Sequence, residues 1–334
     1  MPQPETLARR APDAAPAARG AALFGLGAAL PERVVTNAEI SATLGVDEQW
    51  IVKRTGIRER RWAPADARLH ALAARAGGAA LADAGLEAAE LDLVLVATCT
   101  ADQIIPNTAP LVAEALGAAH CGAVDLGAAC TGFVAGLSLA AGAIEAGRAR
   151  HVLVIGAEIL SRHLDPDDRK VAAIFGDGAG AAVLGAAAGS AVGPVVLGSD
   201  GTLGGILYAD RSDGYIRMDG PEVFRHAVDR MAAASLEACA REGTEIHDLD
   251  LLVFHQANAR ILQALIERLA LDPARVVAAI GEHGNTSAAS IPLALDAARR
   301  DGLLRDGASM LLAAFGAGLT WGAAVVHWGS DDAA

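Results

Sequence analysis

Three polar residues of this sequence have the types and local context of an acyl-transfer site. Cys130 precedes a glycine and a predicted helix, so its sulfur is expected near a helix N-terminus, where unpaired N–H groups favour a thiolate. His255 follows the apolar run 251–254, and Asn285 lies in the motif HGNTS. A cysteine can carry an acyl group as a thioester, while histidine and asparagine can donate hydrogen bonds to a developing oxyanion. Together these residues predict covalent acyl transfer.

Each of these residues also has an ordinary structural interpretation. Cys130 can be a small buried hydrophobe, and Asn285 can be a helix cap. We interpret the other three cysteines as buried hydrophobes, namely Cys99, Cys121 and Cys239. His255 can be a structural histidine, but its position after a strand favours it over His283, which is expected on a loop. The surrounding glycines and an internal repeat favour a catalytic Cys130.

An internal repeat relates the two halves of the chain. The run Leu91-Asp92-Leu93-Val94 resembles Leu249-Asp250-Leu251-Leu252, and each is followed by a turn that leads into a predicted helix. These turns hold Cys130 and Asn285, and later the sequences FGDG and FGAG each lead into a strand. We therefore predict duplicated halves at 21–190 and 191–334, with Cys130 and Asn285 in matching turns on one side of the molecule.

The pattern of apolar residues predicts an α/β fold. Short apolar runs typical of buried strands occur at 94–98, 152–155, 181–184, 251–254, 310–314 and 323–327. Helical patterns occur at 72–84, 132–146, 223–241, 260–269 and 291–300. This alternation is typical of parallel βαβ units covered on both faces, with ligands at the carboxyl ends of the strands.

Composition excludes several classes of protein. The chain has 334 residues, is 53% apolar, and has 27 Lys and Arg against 40 Asp and Glu, giving a net charge of −13. The acidic balance argues against broad binding of nucleic acid or anionic lipid. No apolar run reaches the length of a membrane helix, and residues 1–20 are interpreted as a flexible N-terminal tail. Four scattered cysteines without a CxxC pair predict no metal site and a reduced, cytoplasmic compartment.

The glycine-rich segments do not match nucleotide-binding motifs. The run GDGAGAAVLG leads into a predicted strand rather than a helix, and no GxxxxGK[ST] sequence is present. The loop at 315–318 is a candidate for bringing backbone N–H groups close to a substrate carbonyl, with close packing as the alternative.

Several ordered motifs resemble those of one family. WIVKRTGIRERR, AACTGF, DPDDR, FGDGAGAAVL, HQANARI, HGNTSAAS and FGAGLTWGAA occur in the order and spacing of β-ketoacyl-acyl carrier protein synthase III. The resemblance covers about residues 21–328 and implies the thiolase-like fold, a duplicated five-layer α/β/α/β/α sandwich. It also implies a homodimer.

The resemblance implies a decarboxylative Claisen condensation that initiates fatty acid synthesis. Cys130 takes an acyl group from acyl-CoA, and His255 and Asn285 stabilise the enolate formed from malonyl-acyl carrier protein. The backbone N–H groups of Cys130 and Ala317 match the oxyanion hole of the family. CoA thioester is a substrate in this scheme, and no cofactor is expected.

The resemblance also implies contacts with CoA and with the carrier protein, through residues that match the family less specifically. Trp50, Arg54, Arg169 and Asn258 match residues that bind CoA, with a packed tryptophan and surface arginines as the alternative interpretation. The basic patch for the carrier protein matches Arg225, Arg260 and Arg268. Glu267 stands where a second basic residue is common, which weakens that patch.

One departure from the family concerns the primer. Ile105 stands where many relatives have a phenylalanine that reaches across the dimer to the acyl pocket of the partner. A smaller side chain there predicts primers longer or more branched than acetyl. The segment 200–219 is also shorter than in many relatives, without a clear direction for chain length.

Three other functions remain open at this point. A starter-unit synthase or acyltransferase of a polyketide or other secondary-metabolite pathway can use the same Cys-His-Asn site. A Cys-His-Asn hydrolase is disfavoured because no tryptophan follows Cys130. A catalytically silent subunit is disfavoured because Cys130, His255 and Asn285 are all retained.

Overall fold

The described part of the chain, in a computed structural model, comprises residues 20–118 and 120–329. The predicted tail at 1–20 lies outside it except for Gly20. The strands are β1 (Gly20–Ala29), β2 (Val34–Thr36), β3 (Glu59–Arg61), β4 (Leu93–Ala97), β5 (Gly122–Leu126), β6 (His151–Glu158), β7 (Gly178–Ala187), β8 (Val196–Ser199), β9 (Leu207–Ala209), β10 (Ile216–Met218), β11 (Leu251–Phe254), β12 (Ser309–Gly316) and β13 (Thr320–His327). The helices are α1 (Asn37–Leu44), α2 (Glu48–Thr55), α3 (Leu69–Ala84), α4 (Thr108–Leu116), α5 (Gly132–Glu145), α6 (Gly220–Glu242), α7 (Ala259–Arg268), α8 (Ile280–His283) and α9 (Ser290–Arg300).

Two sheets form the frame of the molecule. The first has the order β1-β7-β6-β4-β5, and the second has the order β11-β12-β13-β8. In both sheets the central pair is antiparallel, β6 with β7 and β12 with β13, and a parallel strand follows, β4 or β11. The predicted boundary near residue 190 falls between β7 and β8. Along the chain, β7 is the last strand of the first sheet and β8 is the first strand of the second.

The prediction of parallel pairing is wrong for four of the seven strand pairs in these two sheets. A parallel connection needs a long crossover, usually through a helix. Only residues 317–319 separate β12 from β13, and no α-helix lies between β6 and β7. Both pairs are therefore antiparallel, and both sheets are mixed.

Helices complete five layers. α3 and α4 cover the outer face of the first sheet, α6 covers the outer face of the second with α7 beside it, and α5 and α9 lie between the sheets. The side chains that α5 and α9 bury between the sheets are mostly apolar, including Phe133, Leu137, Ile291 and Leu295. The predicted duplicated sandwich is confirmed, and every predicted strand and helix overlaps an observed one.

The longest strand that sequence patterns missed is β1. Its Gly- and Ala-rich sequence lacks β-branched residues, so it does not resemble a strand. The structure explains the composition, because α3 crosses β1 closely and a Cβ on Gly27 would lie 2.3 Å from the Ala76 carbonyl oxygen.

The register of the repeat differs from the predicted one. Short 3-10 turns at 129–131 and 287–289 precede α5 and α9, and the first residue of each turn has a left-handed backbone, φ 45° at Ala129 and 50° at Ser287. Cys130 therefore matches Ala288 rather than Asn285, which lies three residues earlier. The pairing of Cys130 with Asn285 is corrected accordingly.

Each 3-10 turn packs against the central strand of the other half. β6 lies on the turn 287–289, and β12 lies on the turn 129–131. The approach is so close that a Cβ on Gly156 would lie 2.1 Å from the Ala288 carbonyl oxygen, and a Cβ on Gly316 would lie 2.7 Å from the Cys130 nitrogen. Glycine is therefore required at both crossings.

Substitution of Gly156 tests this packing. We expect Gly156→Ala to lower the free energy of unfolding by about 1–3 kcal/mol, because the new methyl group must push the turn 287–289 away. Gly142→Ala is the matched control, since Gly142 is an exposed residue of α5 whose Cβ would meet no described atom within 4 Å. It should be neutral or stabilise the protein by up to about 1 kcal/mol. Equal urea midpoints for wild type and Gly156→Ala would contradict the crossed packing.

Candidate active site

Cys130 is the second residue of the 3-10 turn that links β5 to α5. Its side chain is buried, and the Ala129 backbone before it is left-handed. Because the turn runs directly into α5, the Cys130 amide belongs to the first N–H groups of a helical segment, which have no partner within it. This placement makes the amide available to a bound carbonyl oxygen.

The surroundings of Cys130 do not favour the thiolate that the sequence predicted. Burial raises the pKa of the Cys130 thiol to about 12, outweighing the opposing effect of the nearby Ser287 hydroxyl. Glu158, which is fully buried, adds to the rise. The resting nucleophile is therefore a neutral thiol, and its proton must leave during the reaction.

His255 lies directly after β11. Its backbone N–H donates to the Ala313 carbonyl at 2.8 Å, which continues the pairing of β11 with β12 beyond the end of the strand. Its Nδ1 lies 2.6 Å from the Ser290 hydroxyl, so Nε2 is the nitrogen left for a substrate. Burial lowers the pKa of His255 to about 3, and the imidazole is therefore neutral near pH 7.

Asn285 is fixed by both its backbone and its side chain. Its N–H donates to the Ile174 carbonyl, and its carbonyl accepts from the Gly176 N–H, both at 3.0 Å. The side-chain Oδ1 accepts from the Ser287 N–H at 2.8 Å, which leaves the amide NH2 group as a donor. The same bond satisfies the first N–H of the 3-10 turn 287–289 that leads into α9, so Asn285 combines a local cap with a free amide donor.

These groups line one cavity. Its volume is about 1460 Å³, and Cys130, His255, Asn285 and Ala317 all contribute to its wall. Ala317 directly follows β12, next to the crossing where Gly316 meets the Cys130 nitrogen. The cavity thus brings together a thiol, two neutral side-chain donors and the predicted oxyanion-hole residues.

Residues predicted to bind CoA lie toward the mouth of this cavity. Trp50 and Arg54 lie on α2, and the Arg54 guanidinium stands 5.0 Å from the centroid of the Trp50 ring. Asn258 caps α7 by accepting from the Arg260 N–H and donates to the Arg54 carbonyl at 3.1 Å. Asn258 therefore ties α7 to α2, and it also lines the cavity.

Other predicted contacts lie outside the cavity lining of a single chain. Arg169 is exposed beside Gly45, whereas its neighbours Asp168 and Lys170 line the wall. Its role in binding CoA stays a prediction. Ile105 is 84% exposed and does not line the cavity, so its role also stays a prediction.

The three arginines of the predicted carrier-protein patch differ in their surroundings. Arg225 pairs with Glu222 at 2.6 Å, and Arg268 pairs with Asp229 at 2.7 Å. Arg260 instead stands 5.9 Å from the centroid of the Phe224 ring and lines the cavity.

Sequence reasoning missed a second thiol in the cavity. Cys99, predicted to be a buried hydrophobe, is exposed and lines the wall. Its thiol donates to Glu158 at 3.3 Å, and the Thr100 hydroxyl donates to the same carboxyl group at 2.6 Å. Burial raises the pKa of Glu158. A lone glutamate at a strand end offered no signal for this cluster.

The described residues contain neither a metal-binding cluster nor a membrane helix. In 20–118 and 120–329 no three His, Cys, Asp or Glu side chains are arranged to hold a metal ion. Nor is any described helix long and apolar enough to cross a bilayer.

Comparison with known proteins assigns the family. Models of 3-oxoacyl-[acyl-carrier-protein] synthase III match residues 124–201 and, for its C-terminal part, 239–328. A β-ketoacyl-[acyl-carrier-protein] synthase III from Bordetella petrii is 46% identical, over 92% of this chain and 98% of that protein. The chain belongs to the β-ketoacyl-[acyl-carrier-protein] synthase III family. It is therefore an acyltransferase of the condensing type.

Solved structures agree with this assignment. A synthase III of the family from Pseudomonas aeruginosa PAO1 matches with a TM-score of 0.89 and 46% identity, covering 93% of this chain and 99% of that one. The priming β-ketosynthase of the R1128 polyketide pathway matches with a TM-score of 0.91 and 39% identity, covering 96% and 99%. Both comparisons support the thiolase-like fold.

The high pKa of Cys130 can be measured directly. We expect its alkylation by iodoacetamide to accelerate by about tenfold per pH unit between about pH 7 and 9, because only the thiolate reacts. Mass spectrometry of the Cys130 peptide gives the rate, and a Cys99→Ser background prevents labelling of the second thiol in the cavity. A rate that levels off below about pH 8 would show that the resting thiol ionises readily.

Proposed function

We propose that this chain performs a condensation in two stages, beginning with acylation of Cys130. The Cys130 sulfur attacks the carbonyl carbon of an acyl-CoA thioester, the carbon–sulfur bond to CoA breaks, and the thiol proton ends on the CoA sulfur. The amides of Cys130 and Ala317 hydrogen-bond the tetrahedral oxyanion. Such a donor typically contributes about 3 kcal/mol.

In the second stage, His255 and Asn285 act on malonyl-acyl carrier protein. The His255 Nε2–H and the Asn285 NH2 group donate to the malonyl thioester oxygen, and loss of CO2 leaves its electron pair as an enolate. The enolate carbon attacks the acyl-Cys130 carbonyl, and the bond from that carbonyl to the Cys130 sulfur breaks. 3-Ketoacyl-acyl carrier protein forms, and the released thiolate takes a proton from water to restore the Cys130 thiol. Because decarboxylation generates the carbanion, neither a strong base nor a cofactor is required.

The burial of His255, with Nδ1 paired to Ser290 and Nε2 left for the cavity, is the observation that carries this proposal. A buried imidazole with a pKa of about 3 is a poor base at neutral pH, but it is a good hydrogen-bond donor. An enzyme that must abstract a proton from carbon needs a base with a pKa near the working pH. Stabilisation of an enolate formed by decarboxylation needs donors only.

Acyl carrier protein is an expected partner at the mouth of the cavity. The family relatives carry that partner in their names, and carrier proteins are acidic. Among the arginines of the patch, Arg225 and Arg268 already pair with carboxylates, whereas Arg260 has no carboxylate partner in the described residues. We therefore assign Arg260 the main electrostatic contact, with Arg225 and Arg268 at its edges.

A homodimer fits the exposed side of the first sheet. β5 is an edge strand of that sheet, since β4 is its only partner in the described chain. Val124 on β5 is 49% exposed, and Ile104 and Ile105, which precede α4, are 76% and 84% exposed. The start of α4 lies beside β5, because the Thr108 N–H donates to Asp125 at 2.8 Å. A second copy of the chain would cover these apolar side chains. Contact of Ile105 with the partner's acyl pocket then follows from the family resemblance.

Sequence identity favours a role in fatty acid initiation over one in a specialised pathway, two roles that differ in their primer. Relatives named synthase III include proteins 46% and 47% identical to this chain, whereas the polyketide priming enzyme is 39% identical. We therefore favour initiation of fatty acid synthesis. Ile105 in place of a larger aromatic side chain supports primers longer or more branched than acetyl.

Intact-mass measurement tests the acylation stage and the primer together. Wild-type protein incubated with acetyl-, isobutyryl- or octanoyl-CoA should gain the mass of one acyl group, with isobutyryl or octanoyl adding at least as fast as acetyl. Cys130→Ala should gain none, and Cys99→Ser should still be acylated. Strict preference for acetyl would refute the wide pocket. Failure of every acyl-CoA to add mass to the wild type would refute the acylation itself.

A further inference from the structure

The Ser290 hydroxyl contacts the imidazole of His255 from the buried start of helix α9. Ser290 begins α9 between the two sheets, and it is 2% exposed. Its Oγ lies 2.6 Å from His255 Nδ1 and accepts from the Gln256 backbone N–H at 3.4 Å. Ser290 therefore contacts the imidazole of the proposed site and the peptide group next to it, but it does not line the cavity.

We propose that Ser290 is a positioning residue that donates its hydroxyl proton to His255 Nδ1 and so holds the imidazole in the Nε2–H tautomer. This inference rests on the proposed function for its catalytic consequence. The tautomer itself follows from the hydrogen bonds of the ligand-free protein.

The number of available protons determines the direction of this hydrogen bond. A serine hydroxyl has one proton to donate and two lone pairs. The Gln256 N–H can only donate, so it occupies a lone pair of Ser290 Oγ. In the described residues, His255 Nδ1 is the only acceptor within hydrogen-bond distance of this hydroxyl. The hydroxyl proton therefore points at Nδ1.

The opposite tautomer would leave a buried donor without a partner. If His255 carried its proton on Nδ1, that N–H would donate to Ser290 Oγ, and the serine proton would have no acceptor among the described residues. A buried donor without a partner is destabilising, because it has lost its hydrogen bond to water and gained none in return. A neutral imidazole has one proton, so placing it on Nε2 satisfies both groups.

The side chain of Gln256 fixes the backbone that holds the imidazole next to the serine. The Gln256 side chain uses its NH2 group for the Phe254 and Val277 carbonyls, and its Oε1 accepts from the Ala279 and Ile280 N–H groups. Gln256 is 2% exposed, and its amide thus anchors the segment that follows β11. Ser290 is consequently fixed relative to the ring by α9 on one side and by this network on the other.

The tautomer decides what the site can do. In the Nε2–H form, the cavity receives a donor from His255 beside the NH2 donor of Asn285, so both groups can bind the same oxygen. In the Nδ1–H form, Nε2 would present a lone pair to that oxygen and repel it. Ser290 therefore controls the second stage of the reaction and not the acylation of Cys130.

Nitrogen NMR of protein labelled with 15N-histidine tests the tautomer without substrate. In the wild type, the His255 signals, assigned by their loss in His255→Asn, should show a pyrrole-like Nε2 and a pyridine-like Nδ1. Ser290→Ala should shift both signals toward a mixture of tautomers, and Ser290→Thr, which keeps a hydroxyl, should restore them. A protonated Nδ1 in the wild type, or an unchanged spectrum in Ser290→Ala, would overturn the proposal.

Kinetics on the same variants separate this inference from the proposed function. Ser290→Ala removes both the tautomer preference and the hydrogen bond that orients the ring, so we expect kcat for condensation to fall by about tenfold, which corresponds to about 1.4 kcal/mol. The acylation rate of Cys130 should change by less than about twofold, and Ser290→Thr should recover most of kcat. Equal losses in acylation and condensation would indicate a general structural defect and refute the positioning role. Absence of condensation in the wild type would refute the proposed function but leave the NMR result standing.

Discussion

The active site depends on the crossed packing of the two halves. The central strand of each half lies against the 3-10 turn of the other, and the backbones approach so closely that Gly156 and Gly316 have no room for a Cβ. This contact fixes Cys130 from the first half against the end of β12 from the second. The two halves are thus held as one cavity wall, with the thiol supplied by one and the side-chain donors by the other.

Loss of solvent keeps the ionisable side chains of this cavity wall neutral. Burial raises the pKa of Cys130 to about 12 and lowers that of His255 to about 3, so both groups are neutral in the resting protein. Since each is held in its neutral form by the same loss of solvent, no thiolate–imidazolium pair forms. Such a site suits a reaction in which charge appears only transiently, on an oxyanion or an enolate.

The sequence predicted the fold and three residues that share one cavity, but it missed details of the sheets that hold them. Cys130, His255 and Asn285 were identified from turns, strand ends and ordered motifs, and all three line one cavity. β1 was missed because its glycines serve a close helix crossing that no periodicity records. The antiparallel pairings and the repeat register depend on short connections and left-handed residues, which apolar patterns do not encode. The contribution of Ser290 was invisible because a serine at a helix start usually indicates a cap.

In the proposed mechanism, acyl transfer depends on the Cys130 sulfur, and decarboxylation depends on His255 and Asn285. Release of CO2 from malonyl-acyl carrier protein, measured beside acylation by mass, tests this division most directly. Cys130→Ala should lose acylation and keep CO2 release, whereas His255→Ala should keep acylation and lose CO2 release by about 100-fold or more. Loss of both activities in either folded variant would contradict this division of roles between Cys130 and His255.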